Sequence, residues 1–200
     1  MAARRLTLRE ALGRDALEEL RGALAGGGVL GIPTDTRYGL AADPFSEAGV
    51  ERIYAMKGRP ALKAMPVVVA DLAQLESLGA FGPKELLDRL RALWPAPLTV
   101  VLQVARPFAA TAGLSSVAVR VPAQEELRDF LRAVGPLTAT SANRSGEEPA
   151  SSALEVADLF GGDLDYVLDG GPSPPGPVST LLDGTVTPPR ILRAGAFPWL

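Results

Sequence analysis

The first stretch with a clear period runs from Leu8 to Ala25, where Leu12, Leu17, Leu20 and Leu24 recur at helical spacing among Arg and Glu. It predicts an amphipathic helix that stops at the glycine triplet Gly26-Gly27-Gly28. A short apolar run, Val29–Ile32, then meets Pro33. Proline disfavours helix at the residue before it, so this run predicts an extended strand. Ser46 is placed to cap a helix reaching about Met56, with Val50, Ile53 and Tyr54 on one face. Met65–Ala70 is continuously apolar, the pattern of a strand buried on both faces. Asp71 opens a short helix, and Pro83–Leu93 reads as another with proline in its first turn. Leu98–Val104 and Val117–Val121 predict strands, and Ala123–Val134 a helix that ends at Gly135-Pro136. Leu137–Thr140 reads as a short strand and Ser152–Phe160 as a helix. Tyr166–Leu168, Val178–Leu182 and Ile191–Arg193 complete the list of strands.

Strands alternate with helices over most of the length and give way to a strand-rich tail. That order predicts an α/β sandwich around a mixed sheet, in one domain without internal repeats. The biased stretch 170–177, GGPSPPGP, reads as a stiff surface loop. A composition of 47% hydrophobic and 22% charged residues is that of ordinary globular chains, and no apolar run approaches a membrane span. The first twenty residues are charged throughout and lack the apolar core of a secretory signal, so a cytoplasmic protein is expected.

The chain has no cysteine and no histidine. Thiolate nucleophiles, Ser-His and Cys-His catalysis, and thiolate or imidazole metal sites are thereby excluded. Chemistry must rest on carboxylates, Lys and Arg, hydroxyls and backbone N–H groups, with a hard cation such as Mg²⁺ as the metal such groups suit. A net charge of −3 argues against a generally basic surface for coating nucleic acid. Any anion site must be a local concentration of Arg and Lys.

Four clusters meet that description. Thr34-Asp35-Thr36-Arg37 lies just past the carboxyl end of a predicted strand, where open α/β sheets bind ligands. Lys57-Gly58-Arg59-Pro60, with Lys63 close behind, follows a helix; its cations serve equally to offset the helix dipole or to hold a polyphosphate. Ser115-Ser116-Val117-Ala118-Val119-Arg120 puts an arginine at a strand end near the core, which requires either a buried carboxylate or an anionic ligand. Thr138–Gly146, TATSANRSG, runs from a strand into small polar residues that suit a capped turn as well as a ligand. There is no GxxxxGK[ST] phosphate loop, and no GxGxxG follows a strand. Together the clusters suggest a pocket for a nucleotide phosphate and a carboxylate.

PTDTRYGL, KGRP with Lys63, SSVAVRVP, TSANRSG, the Val178-Ser179-Thr180 triplet and ILRAG stand in this order from about residue 15 to about residue 197. In that order and spacing the chain resembles the YrdC family of threonylcarbamoyl-AMP synthases, in its short, single-domain form. The resemblance implies an open, twisted mixed sheet with flanking helices around a large concave basic cavity. It implies a nucleotidyltransferase that joins L-threonine, bicarbonate and ATP, as its Mg²⁺ complex, into threonylcarbamoyl-adenylate and pyrophosphate. The product would pass to the machinery that modifies the adenosine at position 37 of tRNAs reading ANN codons, so RNA binding is a possible accompaniment. By the same resemblance Thr36, Arg120 and Ser179 fall where the family holds L-threonine, with Ala139 lining that pocket. Arg59, Lys63, Ser116, Ser141, Asn143 and Arg193 fall where it holds ATP, and Lys57 and Arg59 are the expected catalytic pair. No protein nucleophile is needed for that chemistry, which suits a chain lacking Cys and His; catalysis would be positioning and charge neutralisation. Two other readings compete: a related enzyme using a different carbamoyl or carboxylate nucleotide, and a non-catalytic RNA-binding module.

Overall fold

The computed structural model describes residues 3–58 and 63–199. In chain order the strands and helices are β1 (Arg4–Thr7), α1 (Leu8–Ala11), α2 (Arg14–Ala25), β2 (Leu30–Ile32), β3 (Gly39–Ala41), α3 (Glu47–Lys57), β4 (Val67–Val68), α4 (Gln74–Ser77), β5 (Ala80–Phe81) and α5 (Lys84–Leu93). They continue with β6 (Leu98–Val104), β7 (Ser116–Arg120), α6 (Glu125–Val134), β8 (Leu137–Thr138), β9 (Thr140–Ser141), α7 (Ala153–Phe160), β10 (Tyr166–Asp169), β11 (Thr180–Asp183) and β12 (Arg190–Arg193).

The expected mixed α/β architecture is present, with the strands shared between two sheets. One runs β1-β10-β2-β3-β9 and the other β12-β11-β6-β7-β4-β8, with β5 pairing off the path onto β6. Each mixes parallel and antiparallel pairs: β2 lies parallel to β10 and antiparallel to β3, and β6 lies parallel to β11 and antiparallel to β7.

Side-chain alternation explains why apolar runs are continuous here. Val67 and Val69 pack into one core with Leu98, Val100 and Val119, while Val68 and Ala70 pack into a second with Phe130, Leu131 and Leu137. A strand that feeds a core on each face shows no polar face to water. The first sheet is buried on both sides in the same manner, Leu40 entering one core and Ala41 the other.

Local signals set most element ends. Ser46 Oγ accepts from the Gly49 N–H at 3.2 Å and starts α3. Gly58 ends it at φ 58°, a left-handed conformation that favours glycine. Two expectations from the sequence are corrected. The single helix over residues 8–25 is broken at Gly13, because Thr7 and Glu10 form a reciprocal capping box that makes 8–11 its own turn. The preceding residues, Arg4–Thr7, are an edge strand parallel to β10, not read from the sequence. The second correction concerns Leu137–Thr140, which is two strands. Leu137–Thr138 pairs with β4 in one sheet and Thr140–Ser141 with β3 in the other. Ala139 is the residue at which the chain changes sheets, its N–H donating to Pro66 O at 2.8 Å. That crossing forms one wall of the cavity described next.

Candidate active site

Between the two sheets lies a cavity of about 400 Å³, within the range of small-molecule sites. Its wall combines the turn after β2 (Thr34, Thr36, Arg37, Tyr38), the chain before and along β4, the ends of β6 and β7 (Thr99, Ala118, Arg120), the sheet crossing at 139–141, and the tail residues Val178, Ser179 and Arg193. Among the described residues that line it there are three arginines and no Asp or Glu.

Strand periodicity puts β7 to use on both faces. Val117 and Val119 are buried in the core, whereas Ala118 and Arg120, two residues apart, line the cavity. Ser116 shares that face at the far end of the strand, beyond the residues that line the cavity. Arg120 is 7% exposed. Its Nη1 donates to Thr36 Oγ1 at 3.0 Å and its Nη2 stands 3.6 Å from Asp35 Oδ1. Among the described residues neither Asp35 oxygen accepts a hydrogen bond. Burial lowers the Arg120 pKa below the ordinary arginine value, Asp35 pushes it back up, and Arg193 lowers it further. The result is a charged fork balanced by a nearby carboxylate but only partly used in hydrogen bonding, the condition in which a buried guanidinium takes a planar anion.

Hydroxyls surround the fork. Thr34 Oγ1 donates to Arg37 O at 2.6 Å, accepts from the Thr36 and Arg37 N–H groups at 3.2 Å, and lies 3.2 Å from Thr36 Oγ1. This turn is held by Thr34 so that Thr36 faces Arg120. Opposite, Ser179 Oγ and Thr99 Oγ1 are 2.9 Å apart, and Arg193 Nη2 donates to Ser179 O at 2.9 Å. Thr36, Arg120, Ala139 and Ser179, expected at one subsite, therefore do line one cavity, and Ser141 and Arg193 join them.

The other expected residues are placed differently. Lys57 is 4% exposed at the end of α3, and its Nζ donates to Ser141 O, to Asn143 O at 2.9 Å and to Asn143 Oδ1 at 3.2 Å. Asn143 also accepts from Ser141 Oγ at 2.6 Å and donates through Nδ2 to Arg144 O and Glu147 O. Lys57 and Asn143 thus organise the 141–147 turn from behind the cavity wall. Lys63 is exposed, and its carbonyl accepts from Tyr54 OH at 2.6 Å. Arg59 lies outside the described residues. Sequence reasoning did not single out Thr99 or Tyr38, and it gave Asp35 no partner. Thr99 sits inside an apolar strand, where a lone threonine carries no signal of its own; it is marked only by the contact that β11 makes beside it.

With this geometry in view, comparison with known proteins is direct. The family model Sua5/YciO/YrdC, described as telomere recombination, matches residues 22–195. The chain belongs to the Sua5/YciO/YrdC family. Among curated members, the threonylcarbamoyl-AMP synthase of Pyrococcus abyssi is 38% identical over 193 residues, covering 92% of this chain and 57% of that protein. The protein of the same name from Pseudomonas putida is 35% identical over 168 residues, covering 82% of this chain and 91% of its own length. The chain thus spans little more than half of the archaeal member and nearly all of the pseudomonad one. In structure it aligns with P. abyssi Sua5 complexed with L-threonine at a TM-score of 0.85 and 36% identity, covering 98% of this chain and 58% of that one. Escherichia coli YciO aligns at a TM-score of 0.78 and 22% identity, a likeness of family fold alone.

Proposed function

We propose that this protein is a threonylcarbamoyl-AMP synthase, forming threonylcarbamoyl-adenylate and pyrophosphate from L-threonine, bicarbonate and ATP. The observation that carries this reading is the Arg120 fork, buried, charge-balanced and only partly hydrogen-bonded, in a cavity between hydroxyls from Thr36 and Ser179. The threonine carboxylate pairs with that fork, and its side-chain hydroxyl finds partners among Thr36, Ser179 and Thr99. Family membership and a solved member complexed with L-threonine support the same choice of amino acid.

The neutral amine nitrogen then bonds to the carbon of CO₂ with loss of a proton to solvent, or to that of bicarbonate with loss of water, giving the carbamate. A carbamate oxygen attacks the α-phosphorus of ATP while the bond to the pyrophosphate oxygen breaks. Ser141 and Arg193 on the wall take the nucleotide together with Ser116 and Lys63 beyond it and with Arg59, which lies outside the described residues, and Lys57 and Asn143 act by holding the 141–147 turn in place. Rate enhancement rests on orientation and on positive charge facing the phosphates. Mg²⁺ enters as the ATP complex. Among the described residues no group of three acidic side chains is available to cage it, and no described residue lining the cavity is acidic. The ion would supply charge neutralisation of the phosphates, bound chiefly through phosphate and water oxygens. The adenylate is consumed by a transfer to tRNA adenosine, and the cytoplasm is the compartment that fits. Among the described residues no helix is long and apolar enough to cross a membrane.

The test is pyrophosphate release from ATP with threonine and bicarbonate, with mass detection of the adenylate. Release that requires both co-substrates is expected. Equal or faster release with another amino acid would reassign the substrate, and no release with any would remove the proposal.

A further inference from the structure

The segment 170–177, GGPSPPGP, contains eight carbonyls and, because four of its residues are proline, only four N–H groups. It has an excess of acceptors that it cannot satisfy within itself. The donors come from two adjacent residues of the turn after β2. Arg37 Nη1 donates to Pro174 O at 3.0 Å and Nη2 to Gly176 O at 3.2 Å, while Nη1 also reaches Thr36 O at 3.0 Å. Tyr38 OH donates to Gly171 O at 2.8 Å and accepts from Gly170 N–H at 3.2 Å. Arg37 has no carboxylate partner among the described residues. Its guanidinium is spent on carbonyls of its own turn and of this segment, 137 and 139 residues away.

Taking the proposed function as given, we infer that Arg37 is a positioning residue that straps the 170–177 segment to the turn after β2, beside the cavity, and so sets the threonine subsite. The strap joins the two halves of that subsite. Arg37 follows Thr36 directly, and Gly176 lies three residues before Ser179, so one guanidinium fixes the separation of the two hydroxyls. A planar fork suits this work because its donors diverge at fixed angles to two carbonyls, which a single ammonium does not span in the same way. Gly176, at φ 142°, gives the segment the backbone freedom to turn its carbonyl toward Arg37.

The test uses the full chain with Arg37→Met and Arg37→Lys, read by hydrogen exchange of peptides spanning 169–182 and by steady-state kinetics. Arg37→Met is expected to speed exchange in that span at least about tenfold and to raise the threonine KM about tenfold, with kcat within about threefold. Arg37→Lys keeps the charge and loses the fork, and is expected to follow Arg37→Met in both readouts. Wild-type exchange in Arg37→Met would overturn the strap. A wild-type KM in Arg37→Lys with fast exchange would assign the effect to charge and overturn the positioning role. If the native chain releases no pyrophosphate with threonine, the functional reading fails while the exchange measurement still decides the strap.

Discussion

Arg120 and Lys57 are both cations inside the protein, 7% and 4% exposed, yet they are used in opposite ways. Lys57 spends its ammonium on Ser141 O, Asn143 O and Asn143 Oδ1, and so stitches the end of α3 to the 141–147 turn. Arg120 has a hydroxyl at 3.0 Å and a carboxylate at 3.6 Å. The first arrangement satisfies a buried charge with neutral carbonyls and leaves nothing to offer a ligand. The second neutralises the charge at a distance and keeps donors in reserve. A buried cation is read as structural or as ligand-binding from the saturation of its donors, and burial alone does not tell the two apart.

That contrast breaks most sharply at Arg120. Arg120→Ala is expected to lower kcat/KM for threonine about a thousandfold in the pyrophosphate assay, and Arg120→Lys, which keeps charge without the fork, about a hundredfold. Removing Lys57 should show the reverse profile. Lys57→Met removes the donor shared by Ser141 O, Asn143 O and Asn143 Oδ1 and is expected to cost about 2–3 kcal/mol in urea unfolding. Its effect on activity then follows from the loosened turn, so stabilising osmolyte should recover part of it, with no such recovery in Arg120→Ala. If Lys57→Met is as stable as the native chain, the contrast between the two cations fails.

Smaller effects sharpen the picture on the strap side. Ser179→Ala removes one hydroxyl from the fork's surroundings and is expected to raise the threonine KM about tenfold without changing the midpoint of unfolding by more than a few tenths of a molar urea. Tyr38→Phe deletes both hydroxyl bonds to the 170–177 segment, to Gly171 O and from Gly170 N–H, and is expected to cost about 1–2 kcal/mol. Tyr38 also gives a pH signature. Burial raises its pKa above the ordinary 10.0, with Asp169 adding to the rise and the Gly170 N–H opposing it. Because the folded value is the higher one, its stabilisation is fully present below the unfolded pKa of about 10 and is lost as pH rises through the folded value. Alkaline unfolding of the native chain should therefore include a component above pH 10 that Tyr38→Phe lacks.

Much of the architecture was legible in the chain because the signals are local. The strand at Leu98–Val104 and the cap at Ser46 depend on residues within one turn or one pleat of each other. So does the alternation that turns Ala118 and Arg120 to one face of their strand. The family motifs likewise named Thr36, Arg120, Ala139 and Ser179 for one subsite and Ser141 and Arg193 for the other, and the fold brings those six to one cavity, whereas Lys57, Lys63, Ser116 and Asn143 stay off its lining. Other features were not legible. A run as short as Leu137–Thr140 carries no mark of which sheet each half joins; that is settled by whether β3 or β4 offers unpaired backbone groups beside it.

By itself the sequence determined the class of chemistry and the identity of the polar residues available for it. Without Cys or His, arginine, lysine, hydroxyl and backbone N–H groups remain to hold anions. Tertiary structure alone decided how each cation is spent. Arg120 meets Thr36 across 84 positions, Lys57 meets Ser141 across the same separation, and Arg37 meets Pro174 across 137. A charged side chain inside a fold is committed by whichever acceptors the packed backbone delivers, and those come from chain segments far away in sequence. The turn from Thr34 to Tyr38 contains its own donors, but the proline-rich segment that needs them is brought beside it by the pairing of β10 with β2.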